Sequence, residues 1–595
     1  MKITLLFFIC LLLVLPKLAA QQDFLPGTMK RGLQAQRLQG EISVDGKLDE
    51  EDWKRAFEVS DLVQIEPYQG NPSAHTTTIR AIYDEKNLYF GIFCGDSLGK
   101  AAVRVPDMKR DFNWRAHDTF AICIDGFNDE RNSISFATNP YGAQKDYLSF
   151  DDIFFDGDWN GLWKVRTSIT DEGWFAEFEI PWKTLRYPEV ETDSTQSWGV
   201  NFLRLRRASN EISVWSPYPR SFGFNRMPYA GKMHNIQPPP PSTNIQVNPY
   251  GLMSYRSLKE GETAAEQYKL KAGGEIKWAI NTNMVMDLTM NTDFAQADAD
   301  VQVNNVTRFS VLFPERRQFF LENASLFGVG LTANSSGAGG DMQILPFFSR
   351  RIGLSSDGSP IPIDAGIRLV NRSAKRNYGL MAVRQQSVDT IGAANFVVAR
   401  YAENIGKQNR IGFIGTMKHV NDGGGYSNYV GGIDGFFRMS VAQSLNIMML
   451  QSSNTDGRGR GAGGYVQYYH STNRFNAWVT GTVITKDFKP EAGFVSRTDA
   501  ISISPGVFAN LRGKHLPFRK WVRSYQPAVV SAWYHQASTG KLTERDIRVY
   551  PLYFEMQDGG YYGFSVSTIH QQLLTPFAPL GVNISEGVYD YLRYI

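Results

Sequence analysis

Three groups of residues in this sequence have the types and spacing to do chemistry. The first is the acidic run Asp151-Asp152-Ile153-Phe154-Phe155-Asp156-Gly157-Asp158-Trp159-Asn160. Ca²⁺ takes six to eight hard oxygens, and Asp151, Asp152, Asp156 and Asp158 are the candidate ligands. The spacing is not that of an EF-hand loop, and a solvated acidic loop is the plainer alternative. A glycosidase pair drawn from these acids would need carboxyls about 5–9.5 Å apart across a sugar, which loop spacing does not specify. The second group is aromatic: Trp114, Tyr141, Trp159, Trp163, Trp174 and Trp182. Such rings can stack on the C–H face of a sugar while nearby polar groups bond its hydroxyls. Most of them are expected in a core. Trp159 and Trp163, in a loop between Asp and Asn residues, are the better candidates for a ligand, and Trp174 and Trp182 are assigned to the core. The third group is Glu315, Arg316, Arg317 and Glu322, with Arg350 and Arg351 further on. Mixed signs in one stretch predict mutual neutralisation, with an anionic substrate as the alternative.

Other chemistries lack their signatures. There is no HExxH pair or CxxC for zinc, no P-loop and no GxSxG elbow. Sixty-two Lys+Arg against 59 Asp+Glu leave a net charge of +3, which argues against a nucleic-acid partner. Three cysteines make no disulfide framework.

These groups need elements to hold them. Lys2, an apolar run from Ile3 to Leu15 and small residues near Ala20 predict an export signal over residues 1–20. No later apolar run is long enough for a helical span, which leaves membrane-crossing strands open. Residues 38–236 read as a β-sandwich. Strands are expected at Glu41–Val44, Thr77–Tyr83, Leu88–Cys94, Phe120–Ile124, Ile134–Ala137, Val165–Ile169, Trp174–Pro181 and Trp198–Arg206, with a helical turn around Leu48–Trp53. A Pro-rich linker, residues 237–243, follows. From 244 to 595, segments of about ten residues alternate in polarity between Gly-rich polar connectors, the pattern of an outer-membrane antiparallel β-barrel, with a soluble sandwich or β-propeller as the alternative. Phe475–Val483, Ile547–Met556, Tyr378–Arg384, Leu445–Leu450 and Tyr561–Ile569 are its clearest strands. The Phe313-Pro314-Glu315-Arg316-Arg317 region does not alternate, and is expected to fold into the lumen or pack at the domain junction.

Several segments resemble known families. Ile42–Trp53, Tyr83–Phe90, Arg110-Asp111, Asp118–Phe120, Asn139-Pro140-Tyr141-Gly142 and Gly173–Pro181 look like the family 9 carbohydrate-binding module. Asp293–Asp300, Phe313–Glu322, Phe348–Gly353 and Phe488–Val495 are similar to the domain of unknown function 5916 family, exported proteins of Gram-negative bacteria. Together the resemblance implies an all-β chain with a binding sandwich in front of an outer-membrane barrel. It supplies no catalytic residues. Relatives run on past Asn583–Tyr594, so either the sequence is a fragment or barrel closure is incomplete.

The expected function is an exported outer-membrane protein that binds a carbohydrate or cell-wall glycan through its sandwich, with membrane lipid as its other partner. The ligand-binding candidates are Trp159, Trp163, Trp114, Asn139, Tyr141 and Arg110, with calcium as the one cofactor to consider. A membrane-associated glycan hydrolase and a transport barrel gated by the sandwich are the alternatives.

Overall fold

A computed structural model describes the chain apart from residues 1–25, 28–29, 151–153, 158, 189–193, 241–243, 261–262, 282, 293–314, 316, 322–323, 331–341, 356–358, 389, 422–423, 513–515 and 517. The export signal therefore lies outside the described residues, as do Asp151, Asp152, Asp158, Arg316 and Glu322.

The predicted strands of the first half pair into two sheets. One has nine strands, with Gln196–Arg206, Thr119–Asp125, Ser133–Thr138 and Gln144–Phe150 adjacent in that order. The other has six, with Lys164–Thr170, Gly173–Pro181, Asn87–Gly95 and Thr77–Tyr83 adjacent. Phe90, Phe120, Phe136, Phe178 and Phe202 pack between the two sheets, none of them exposed. The sandwich takes in residues ahead of 38. Gly32–Gln34 pairs with Gly231–Ile236 in one sheet, and Gln36–Arg37 pairs with Thr77–Tyr83 in the other. The expected strand at Glu41–Val44 does not form. That segment runs past the short helix Glu51–Arg55 instead, where Asp52 accepts the N–H groups of Gln39 and Gly40.

Among the described residues the second half forms an antiparallel sheet of 17 strands, from Asn244–Glu260 to Gly587–Tyr594, with a separate pair, Ile344–Leu345 and Phe494–Val495. Strand Ala393–Ile405 shows its logic. Ala394, Phe396, Val398, Arg400 and Ala402 are buried on one face, while Tyr401 and Ile405 are exposed on the other. The inner face of Ile363–Arg372 through Ala528–Gln536 packs around the inserted segment, where Phe319, Phe320, Leu326, Phe327, Phe347 and Ile352 are buried with Phe396, Ile414, Met448 and Tyr534. Gly379 is needed for that contact, because a Cβ there would sit 2.6 Å from the Phe327 ring. Arg317 binds both carboxylate oxygens of Glu315 and donates to the carbonyls of Ser349 and Ile352, which is the neutralisation expected of this stretch. Among the described residues the first and last strands are not hydrogen-bonded to each other, so a closed barrel is not found.

The sandwich docks on the end of this sheet where the connections are short, such as residues 406–408, 472–474 and 557–560. Arg131 donates to Asn409 O at 2.8 Å, Ser221 N to Asn473 Oδ1 at 2.9 Å, and Asn210 Nδ2 to Gln557 O at 3.3 Å. Arg512 bridges Glu66 of the sandwich and Glu555 of the sheet at 2.9 and 2.8 Å, while Arg220 holds the other oxygen of Glu66. The long excursions, including residues 291–362 and 485–499, leave from the opposite end.

Candidate carbohydrate-binding surface

The hairpin Ser133–Thr138 to Gln144–Phe150 turns at Asn139-Pro140-Tyr141-Gly142, and the turn chemistry explains what it displays. The Asn139 side-chain oxygen accepts the N–H groups of Tyr141 and Ala143, 3.0 and 3.2 Å away. Gly142 takes the left-handed backbone, φ +80°, that closes the loop. Asn139 is fully buried, and its amide nitrogen lies 3.2 Å from His117 Nδ1. It cannot touch a ligand. Its role is to hold Tyr141, which stands 57% exposed at the tip.

Arg110 ties the hairpin to the loop that carries Trp159. Its Nη1 donates to Gln144 Oε1 at 2.9 Å, and its Nη2 to Asp146 Oδ1 and Asn160 Oδ1, each at 2.6 Å. Gln144 Nε2 reaches the Trp163 carbonyl at 2.9 Å, and Asp146 accepts Gly161 N. Burial pushes the Asp146 carboxyl above the usual range, opposed by the Gly161 N–H and by Arg110. The cluster thus presents a partly exposed guanidinium and the exposed Asn160 against the hairpin whose tip carries Tyr141.

The aromatic candidates separate. Trp163 is 7% exposed and stacks on Phe178 with ring centroids 5.7 Å apart, so both its faces are committed to the core and the expectation of a free stacking face is corrected. The residue begins the strand region that closes over the sandwich, and apolar burial outweighs exposure of a ring that large. Trp159 is half-buried, edge-on to Phe136. Trp114 lies elsewhere, packed with Ile65, Leu203 and Tyr218 on the outer face of the nine-stranded sheet. Trp174 and Trp182 are core, as expected. Sequence reasoning passed over Gln144, Asp146 and Asn160 as site members. Their only signal was the acidic run and a polar strand, since their common partner Arg110 is 34 to 50 residues away.

Asp156, the one described member of the calcium set, is buried and interacts electrostatically with Arg372 of the sheet. Among the described residues no three His, Cys, Asp or Glu side chains converge as for a metal ion.

Comparison with known families places this surface in context. Residues 44–210 match the carbohydrate family 9 binding domain-like family. Residues 241–372 match the domain of unknown function DUF5916. No curated protein matches the chain. Among solved structures, the family 9 carbohydrate-binding module of Caldicellulosiruptor kristjanssonii in complex with glucose aligns at 12% identity and TM-score 0.25, over 35% of this chain and 96% of that one. Pseudomonas aeruginosa OccK11 (OpdR) aligns at 11% identity and TM-score 0.26, over 67% of this chain and 90% of that one. Pseudomonas aeruginosa OpdQ aligns at 9% identity and TM-score 0.26, over 80% and 97%. Structural matches this distant carry no weight for ligand or activity. The two family matches lie one after the other along the chain, a carbohydrate family 9 binding domain-like region followed by a DUF5916 region.

Proposed function

We propose that the protein sits in the outer membrane and binds carbohydrate through the Tyr141–Arg110–Asn160 surface of its sandwich. The observation that carries this is the exposed Tyr141 on its Asn139 turn, at the tip of a hairpin that Arg110 braces to the exposed Asn160 amide, within the family 9 match. Aromatic stacking plus a few fixed polar groups is what sugar recognition requires.

The membrane reading is supported by the outer face of the sheet. Leu380, Tyr401, Phe413, Ile433, Met449, Val466, Val479 and Ile503, on successive strands, are between 41% and 60% exposed, an apolar band of a kind that water-soluble monomers avoid. In outer-membrane barrels the short turns face the periplasm. The sandwich docked on them then faces the periplasm too, and the sheet acts as its anchor. Packing of the Phe319–Ile352 region against the inner face favours an anchor over an open transport channel. A binding role is favoured over hydrolysis because Asp146 and Asp111, the carboxylates beside Tyr141, both face Arg110.

The test is calorimetric titration of a panel of soluble glycans onto the detergent-solubilised protein, with and without calcium. Saturable binding that falls about fivefold or more in Tyr141→Ala is expected, since one aromatic stack is worth roughly 1 kcal/mol. A flat trace across the panel from folded protein overturns the reading.

A further inference from the structure

A cleft of about 840 Å³ lies where the two domains meet, between the sandwich segments Val103–Pro106 and Arg207–Asn210 and the sheet turn at Gln557-Asp558. That volume is within the range of ligand clefts, about 300–1,000 Å³, and domain junctions are a preferred place for them.

Its charged wall is built, and a single buried carboxylate builds it. Asp118 is 5% exposed, and its two oxygens accept the backbone N–H groups of Arg104 at 2.7 Å and of Arg207 at 2.6 Å. Two segments far apart in sequence are thereby pinned together, so both arginines line one cleft. Arg104 spends Nη1 on the carbonyls of Ala101 and Val103, and Arg207 spends Nη1 on the side-chain oxygen of Asn210. A guanidinium carries five N–H donors, so each keeps several for a ligand. Asn210 in turn donates to Gln557 O and accepts from Arg523, so docking of the sheet sets the position of Arg207. Val103, Val105, Pro106 and Ala116 give an apolar floor without an aromatic ring, and Asp558 is the lone carboxylate of the lining.

Guanidinium groups fit a carboxylate, and two of them line this cleft. Ser209, Asn210 and Gln557 add hydroxyl and amide partners of the kind sugar hydroxyls use. We propose that this cleft binds a uronic-acid saccharide, its carboxylate held between Arg104 and Arg207. The site is separate from the Tyr141 surface and does not depend on it.

The experiment is titration of trigalacturonate onto the full-length detergent-solubilised protein, with maltotriose as the neutral comparator and citrate as competitor. Trigalacturonate binding about tenfold or more weaker in Arg104→Gln/Arg207→Gln is expected, since charge-assisted hydrogen bonds of this type are the strong ones. Tyr141→Ala should leave it unchanged, which separates this site from the proposed glycan surface. Asp558→Asn, a surface change that leaves the fold alone, should tighten binding about two- to threefold by removing like charge. Equal affinity in the double variant, no trigalacturonate binding by folded wild type, or complete displacement by equimolar citrate would each overturn the assignment.

Discussion

Two strands of this molecule with the same two-residue period meet different surroundings. Thr119–Asp125 in the sandwich is buried at every position, whereas Ala393–Ile405 in the large sheet alternates buried and half-exposed residues along most of its length. Both send successive side chains to opposite faces. In the sandwich one face meets the other sheet through Phe120 and Ile122, and the other face, with Ala121, lies under the cluster of Ile65, Leu203 and Tyr218 on the docking side. In the large sheet the inner face meets protein, while the outer face carries exposed apolar residues such as Phe413 and Ile433. Burial pattern therefore reports what covers a sheet, and the exposed apolar face is the feature on which the proposed lipid contact rests.

Three variants would break or sharpen this contrast. Trp163→Ala should cost the most, about 3–5 kcal/mol of sandwich stability, because a ring stacked on Phe178 leaves a cavity. Denaturant unfolding followed by tryptophan fluorescence measures it. A change below about 0.5 kcal/mol, as for an exposed residue, would place Trp163 outside the core.

Phe413→Arg comes next. With the outer face in lipid, as proposed, it should cost up to about 2–4 kcal/mol of folding into vesicles. Equal folding of variant and wild type into vesicles would deny the outer face its lipid contact.

The smallest effect is at Glu177, a carboxyl in the sandwich that accepts Asp45 N, Gly46 N and Trp53 Nε1. Glu177→Gln turns an amide NH₂ toward these donors and should cost about 1–3 kcal/mol. Burial, the largest influence, lifts this carboxyl to about 7, against the three N–H groups that favour its charge. The folded state then holds a proton that the unfolded chain releases near pH 4.3. The carboxyl's contribution is complete below about pH 4.3 and is lost as pH rises through about 7. Stability of the wild type should fall across that window, and the fall should be shallower in Glu177→Gln. Identical pH profiles would mean the carboxyl titrates in the ordinary range.

Much of the fold was legible in the residues because its signals are local. Strands expected at Thr77–Tyr83 and Trp174–Pro181 appear at Thr77–Tyr83 and Gly173–Pro181, each bounded by its turn. The alternation at Phe475–Val483 becomes strand Phe475–Ile484. Glu41–Val44 failed as a strand because its contacts go to the short helix, where Ile42 and Val44 join the Trp53 cluster and Ser43 N donates to Glu50. The Arg110 cluster was legible only as scattered polar residues, since its members come from three separate segments. Trp159 and Trp163 looked alike in sequence, four residues apart in one loop, yet only one of them turns wholly into the core.

By itself the sequence determined the two textures of the chain, the turn that displays Tyr141 and the self-neutralising pair Glu315–Arg317. Each depends on neighbours within a few residues, where backbone geometry and hydrogen-bond reach leave little choice. The tertiary structure alone decided which tryptophan is buried, and that Asp118 gathers Arg104 and Arg207 on one wall. It also decided that the sandwich seats on the short-turn end of the sheet through Glu66, Arg512 and Glu555. Those contacts join residues far apart in the chain, and their energies arise only once packing has excluded water and brought the charges together.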